Sequence, residues 1–167
     1  YAGPYPATFS GRDVYFNATR YPGDNTNPND WTQAEIQGRK DAWTMFENWQ
    51  NELEEFQDAY FMTSGPVAGA RESRRIVGDY ILTADDIYES RQQNDAIAIG
   101  AWRLDKHPAH RAGYHDIPWT PPYHIPYRTL LPKNCDNLLV AGRCHSATSE
   151  ALASNRVTAT AMGMGQA

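Results

Sequence analysis

Asn137-Leu138-Leu139-Val140-Ala141-Gly142-Arg143-Cys144-His145-Ser146-Ala147-Thr148 decides how this chain is read. The apolar run Leu138 to Ala141 predicts a short buried strand. It ends at Gly142 and passes into a small, polar loop. Ser154-Asn155-Arg156 follows, and then Val157 to Ala167, a run that favours a helix. A strand, a glycine turn and a helix whose first amides are unpaired form a common cradle for an anionic cofactor. The helix start carries roughly half a positive charge, and a glycine lets backbone approach a ligand closely.

Several other motifs recur in one order around this stretch. They are Ala34-Glu35-Ile36-Gln37-Gly38-Arg39, Arg71-Glu72-Ser73-Arg74-Arg75-Ile76-Val77-Gly78, Ile125-Pro126-Tyr127-Arg128, Leu131-Pro132-Lys133, and the closing Ala161-Met162-Gly163-Met164-Gly165-Gln166-Ala167. Together they resemble the C-terminal half of a family of FAD-dependent oxidoreductases with a glutathione-reductase-like fold. The resemblance implies an α/β chain: the C-terminal part of a Rossmann-like FAD-binding domain, residues 124–167, joined to a mixed α+β substrate or cap domain, residues 1–123. In that family a G-x-G-x-x-G turn holds the ADP half of FAD. Here Gly163-Met164-Gly165 closes a helix, and Gly65-Pro66-Val67-Ala68-Gly69 has the wrong spacing. The fold is therefore expected to be incomplete without an N-terminal ADP-binding segment or a companion chain.

The resemblance also distributes roles. Ala141, Gly142 and Arg143 would lie along the ribityl-phosphate arm, with Ser146 in the same loop. Related flavoproteins often carry an acid after this glycine, whereas Arg143 would suit a phosphate. Asn155, Arg156 and Val157 would turn their backbone N–H groups toward the N1–C2=O edge of the ring, which gains negative charge on reduction. His145 is the candidate for moving the substrate proton, because imidazole titrates near neutral pH. The alternative for His145 is an imidazole held on a backbone carbonyl. Arg71 or Arg74 would bind a substrate anion or stabilise charge near the flavin. The alternative for them is a solvated, ion-paired edge. Tyr127 and Arg128 would close the pocket over the flavin or pair with acids in the substrate domain, and His107 and His124 would line the substrate side.

Bulk properties narrow the field. A chain of 167 residues can bury a real core. Its net charge of -5 gives no electrostatic reason to expect nucleic acid, and no apolar run reaches membrane-spanning length. Cys135 and Cys144 are too few for a disulfide scaffold. His107, His110 and His115 sit among prolines with no cysteine or glutamate to complete a metal set, so no metal is expected. Trp31, Trp43, Trp102 and Trp119 support a different function, an aromatic platform for a carbohydrate or peptide.

The remaining elements follow from local pattern. Residues 1–11 are expected to be irregular, 13–19 a strand, and 32–54 an amphipathic helix opened by a Thr32/Glu35 capping box. Strands are expected near 59–63, 76–82 and 95–102. A short helix should start at Thr83, with acids at its positive end.

Overall fold

The computed structural model describes residues 2–8, 11–107 and 119–167. Contacts divide them into two compact units: the described residues of Tyr1–Gly69, and those of Ala70–His107 and His115–Ala167. Residues 96–100 pair with residues 123–126, so the strands on either side of 123/124 lie in one compact unit.

In the first unit, β1 (Ala2–Pro6) and β2 (Val14–Asn17) form an antiparallel pair. Residues 1–11 are thus not wholly irregular: Tyr5 stands opposite Tyr15, their ring centroids 5.1 Å apart. Cross-strand aromatic pairs of this kind outweigh a turn-rich composition. Helix α1 (Pro28–Glu52) starts four residues before the expected position. Asn27 is its N-cap and accepts the Asn29 N–H at 3.0 Å; Pro28 sits in the first turn, where a missing N–H costs nothing. Thr32 lies inside the helix and donates to the Pro28 carbonyl instead of capping. The Trp/Phe stripe splits into two aromatic clusters, Trp43–Phe46–Phe61 and Phe16–Trp49–Phe56. Only Phe46 of the helix is buried. Residues 59–63 form no strand.

In the second unit, Thr83 caps α2 (Ala84–Tyr88) in a reciprocal capping box with Asp86, where the sequence places it. Asp86 is buried and also accepts the Tyr80 hydroxyl at 2.8 Å and the Arg91 guanidinium at 2.7 Å. β3 (Ala96–Gly100) and β4 (Tyr123–Pro126) pair antiparallel, with Gly100 opposite Tyr123. Two helices follow, α3 (Ser149–Asn155) and α4 (Thr158–Gln166). The core comprises Leu82, Ile87, Leu104, Tyr123, Ile125, Leu130, Ala147, Ala151 and Met164. Gly163 brings α4 against β3, where a Cβ would stand 3.5 Å from that of Ala98.

The described strands form two small antiparallel sheets within a mixed α/β chain. The strand expected over Leu138 to Ala141 is not formed, and Leu138 and Leu139 are 45% and 55% exposed. A strand needs a ladder partner for its amides. Here Val140 alone reaches one, donating to the Leu130 carbonyl at 3.1 Å. The 76–82 segment likewise contributes only isolated bridges, Gly78 to Pro132 and Leu82 to Ala147. No helix among the described residues is long and apolar enough to cross a membrane.

Candidate functional site

The α3–α4 junction is built differently from the single helix start that the sequence suggested. Thr148 caps α3 by accepting the Ala151 N–H at 3.2 Å. α3 runs through Asn155, and the Arg156 N–H closes it on the Leu152 carbonyl at 3.1 Å. The Arg156 amide is therefore used, and Asn155 belongs to the end of one helix instead of the start of the next. Val157 is extended and stands at the N-cap of α4, with no side-chain cap among the described residues. The donors expected at 155–157 are thus displaced to the first turn of α4, from Thr158 onward.

Asn155 is fully buried, and neither its Oδ1 nor its Nδ2 has a hydrogen-bond partner among the described residues. An unsatisfied buried amide group costs about 1–3 kcal/mol. Natural proteins keep such a group where a ligand or water completes it. A primary amide offers both a donor and an acceptor, which matches the alternating N–H and C=O edge of a flavin ring. On this observation the junction fits the cofactor that the resemblance implies.

Gly142 has φ +78°, and a Cβ there would sit 3.7 Å from Ala161 of α4. The Ala141–Gly142 turn thus lies on α4, in a conformation that suits glycine. Ala141 is exposed, and Arg143 points to the Ala70 carbonyl. Cys144 supplies its carbonyl to the Ile76 N–H at 2.9 Å.

Two residues of the expected site are instead interior. Ser146 is fully buried; its hydroxyl accepts the Gly78 N–H at 3.0 Å and its own N–H reaches Thr129 at 2.8 Å. It joins loops of the fold, because Gly78 has room for nothing larger: a Cβ there would meet that of Ser146 at 2.7 Å. His145 is also fully buried, with Nδ1 2.7 Å from the Gly142 carbonyl. That contact puts the proton on Nδ1 and leaves Nε2, which has no partner among the described residues, as a lone pair. Burial pushes the His145 pKa down, the Gly142 carbonyl opposes this, and Arg75 adds to it. A folded-state pKa below the unfolded one makes the stabilisation full above about pH 6.5 and lost as pH falls through the folded value. Thermal unfolding of His145→Gln should therefore show a deficit at pH 8 that narrows at pH 5. A deficit unchanged across that range would mean that His145 does not titrate with folding.

A cluster that the sequence did not assemble lies around Asp105. Its Oδ2 receives Arg71 Nη2 at 3.3 Å, Arg156 Nη2 at 3.2 Å and His107 Nε2 at 2.9 Å. Arg156 Nη2 also reaches the Asp105 carbonyl at 3.2 Å. Burial would raise the Asp105 pKa, but His107, Arg156 and Arg71 outweigh it and hold the carboxyl below its ordinary range. Arg71, His107 and Arg156, expected in three separate roles, therefore share one carboxylate. Asp105 itself was missed; the available signal was its two-residue spacing from His107.

The other expected residues lie apart. Arg128 binds Asp95 through Nε at 2.9 Å, reaches Gln93 at 3.1 Å, and stacks 4.9 Å from the Tyr80 ring centroid. His124 Nδ1 accepts the Gln93 N–H at 3.2 Å. Tyr127 is part-exposed, its N–H on the Asp95 carbonyl at 2.8 Å. Arg74 is exposed, with its N–H on the Ser73 hydroxyl at 2.6 Å. Trp102 and Trp119 meet edge to face at 5.3 Å, with Arg103 stacked on both; Trp31 and Trp43 belong to α1. His110 and His115 lie outside the described residues.

No curated protein and no solved structure matches the chain. A family model does: residues 4–167 match the one described as FAD dependent oxidoreductase. That span takes in the glycine turn, the α3–α4 junction with its unsatisfied Asn155, and the Asp105 cluster. With nearly the whole chain matched, and FAD the cofactor the family implies, the chain belongs to the FAD-dependent oxidoreductase family.

Proposed function

We propose that this chain forms the flavin-ring side of an FAD-dependent oxidoreductase that takes hydride from a small organic substrate. A general redox function follows from the family. The observation that carries the finer reading is Asn155, a fully buried amide whose two polar atoms have no protein partner among the described residues. When bound, flavin supplies a two-electron acceptor.

The chain's own residues supply the surroundings. Asn155 would hydrogen-bond the ring edge through both side-chain atoms. The first N–H groups of α4 would stand as fixed donors where negative charge develops, an arrangement typically worth about 3–4 kcal/mol. The Ala141–Gly142 turn admits the ribityl arm, and Arg143 lies beside it for a phosphate. The ADP half would be held by an N-terminal segment or companion chain.

Proton handling passes from His145 to His107 in this reading. His145 is fully buried, whereas the His107 side chain is 30% exposed. The Asp105 carboxylate orients the His107 ring through Nε2, leaving Nδ1 to take a substrate proton. Arg71 belongs to the same site. Tyr127, His124, Arg128 and Arg74 lie apart from the Asp105 cluster and are given no role in this reading.

FAD titrated into the full chain tests this reading. Bound flavin should show shifted bands near about 370 and 450 nm and altered emission. Gly142→Val should weaken binding by about tenfold or more, because the added side chain would stand in the space proposed for the ribityl arm. Gly11→Val, at a second positive-φ glycine, should leave binding unchanged. A flavin spectrum unaltered by the chain at millimolar concentration sinks the proposal.

A further inference from the structure

α3 ends on Ser154 and Asn155, and the two side chains are used in opposite ways. Asn155 is fully buried with both polar atoms unpaired among the described residues. Ser154, also fully buried, is fully engaged: its hydroxyl donates to the Trp102 carbonyl and lies 2.8 Å from the Tyr123 hydroxyl. A serine has one hydroxyl proton. With that proton on Trp102, the Tyr123 hydroxyl is the donor to Ser154. Tyr123 opens β4, and Trp102 lies two residues beyond the end of β3. One serine side chain therefore ties the last turn of α3 to both strands of the sheet.

A helix of seven residues has little cohesion of its own, and helix ends fray. The Asn155 side chain makes no hydrogen bond that would hold it in place. It is aimed by the backbone that carries it, and Ser154 fixes that backbone one residue earlier. The hydroxyl pair is not needed to satisfy its surroundings. Thr120 also donates to the Trp102 carbonyl, at 2.9 Å, so that carbonyl keeps a partner without Ser154. Replacing both members of a buried hydrogen bond by apolar groups of the same shape is close to neutral. A phenylalanine facing an alanine would fill this space; what it would lack is a directional link to the residue before Asn155.

We propose that Tyr123 and Ser154 are positioning residues for Asn155: their hydroxyl pair sets the last turn of α3, and with it the direction in which the Asn155 amide presents its donor and its acceptor. That the amide meets a flavin ring rests on the function proposed above; that the pair aims it does not. Two hydrogen bonds to one planar edge need both amide atoms in line with it, so a small rotation of this turn weakens both together. Tyr123 and Ser154 act through Asn155 and take no direct part in binding.

FAD titrated into the full chain and followed by flavin emission separates action through Asn155 from action on the fold. Tyr123→Phe and Ser154→Ala should each weaken binding by about tenfold, the effect of misdirecting one or two hydrogen bonds. In an Asn155→Leu background, which has no amide to aim, each should change the affinity by less than about twofold. Equal weakening in both backgrounds would show a diffuse effect on the fold and overturn the proposal. No weakening by either variant in the parent would overturn it as well. Ser154→Ala carries the test alone should Tyr123→Phe fail to fold. A second readout needs no flavin: the NMR signals of the Asn155 side-chain amide should shift in both variants of the flavin-free chain, and unmoved signals would overturn the positioning. A parent that binds no FAD would sink the flavin reading only, and the Asn155 signals would then decide whether the hydroxyl pair places this amide.

Discussion

Gly100→Ala should cost the second unit about 3 kcal/mol or more, the upper end of what overpacking a core does. Gly100 ends β3 opposite Tyr123. A Cβ built there would press into the edge of the Tyr123 ring, against Cζ and the hydroxyl oxygen and 2.7 Å from Cε2. The ring cannot swing aside. Tyr123 is fully buried, and its hydroxyl is 2.8 Å from the Oγ of Ser154, itself fully buried. Burial pushes the phenol pKa up to about 12, with Ser154 opposing, so the group stays a neutral hydroxyl at working pH. The cost is steric and not conformational, since Gly100 is not among the positive-φ glycines. Denaturant unfolding should show a large fall in midpoint. Adding Tyr123→Leu should recover part of it, giving a coupling of about 1 kcal/mol or more. A single variant within about 0.5 kcal/mol of the parent would show that the ring moves freely.

The same strand pair shows what the sequence could reveal. Ala96–Gly100 is β-branched and apolar within a few residues of turn formers, and it is a strand. Thr83 and Asp86 announce a helix start through local hydrogen bonds, which need no distant partner. Leu138 to Ala141 has an equally apolar pattern, yet it is no strand, because a ladder depends on a neighbour that local pattern does not specify. The α1 start shows competition among caps: Asn27 with Pro28 prevails over Thr32 with Glu35. At the site, the glycine turn was legible because positive φ leaves a residue-type signature. The Asp105 cluster was not, since Arg71, Asp105 and Arg156 are far apart in sequence and meet only through packing. Ser146 looked like surface loop chemistry by composition, whereas for His145 the alternative of an imidazole held on a backbone carbonyl is the one found, with Nδ1 2.7 Å from the Gly142 carbonyl. Their full burial is a tertiary fact that a short polar run does not reveal.

Asp105→Asn is the other substitution with a large expected effect, and it separates architecture from charge. Asparagine keeps the shape and some hydrogen bonding but removes the one negative charge that Arg71, Arg156 and His107 share. Breaking a fully buried ion pair by removing one partner costs about 3–5 kcal/mol. Arg71 is 40% exposed and solvent screens its part, so about 2–3 kcal/mol is expected, most of it from the enclosed Arg156. The pH dependence identifies the cause. His107, Arg156 and Arg71 hold the Asp105 carboxyl low against the opposing effect of burial. Its stabilisation is therefore full above the unfolded value of about 3.9 and is lost as pH falls through the lower folded value. The gap between parent and variant should be widest near neutral pH and should close in strong acid, where the parent also lacks the charge. A gap that stays constant from pH 7 to pH 2 would mean that Asp105 acts through its shape, and that the arginines do not depend on its charge for their positions.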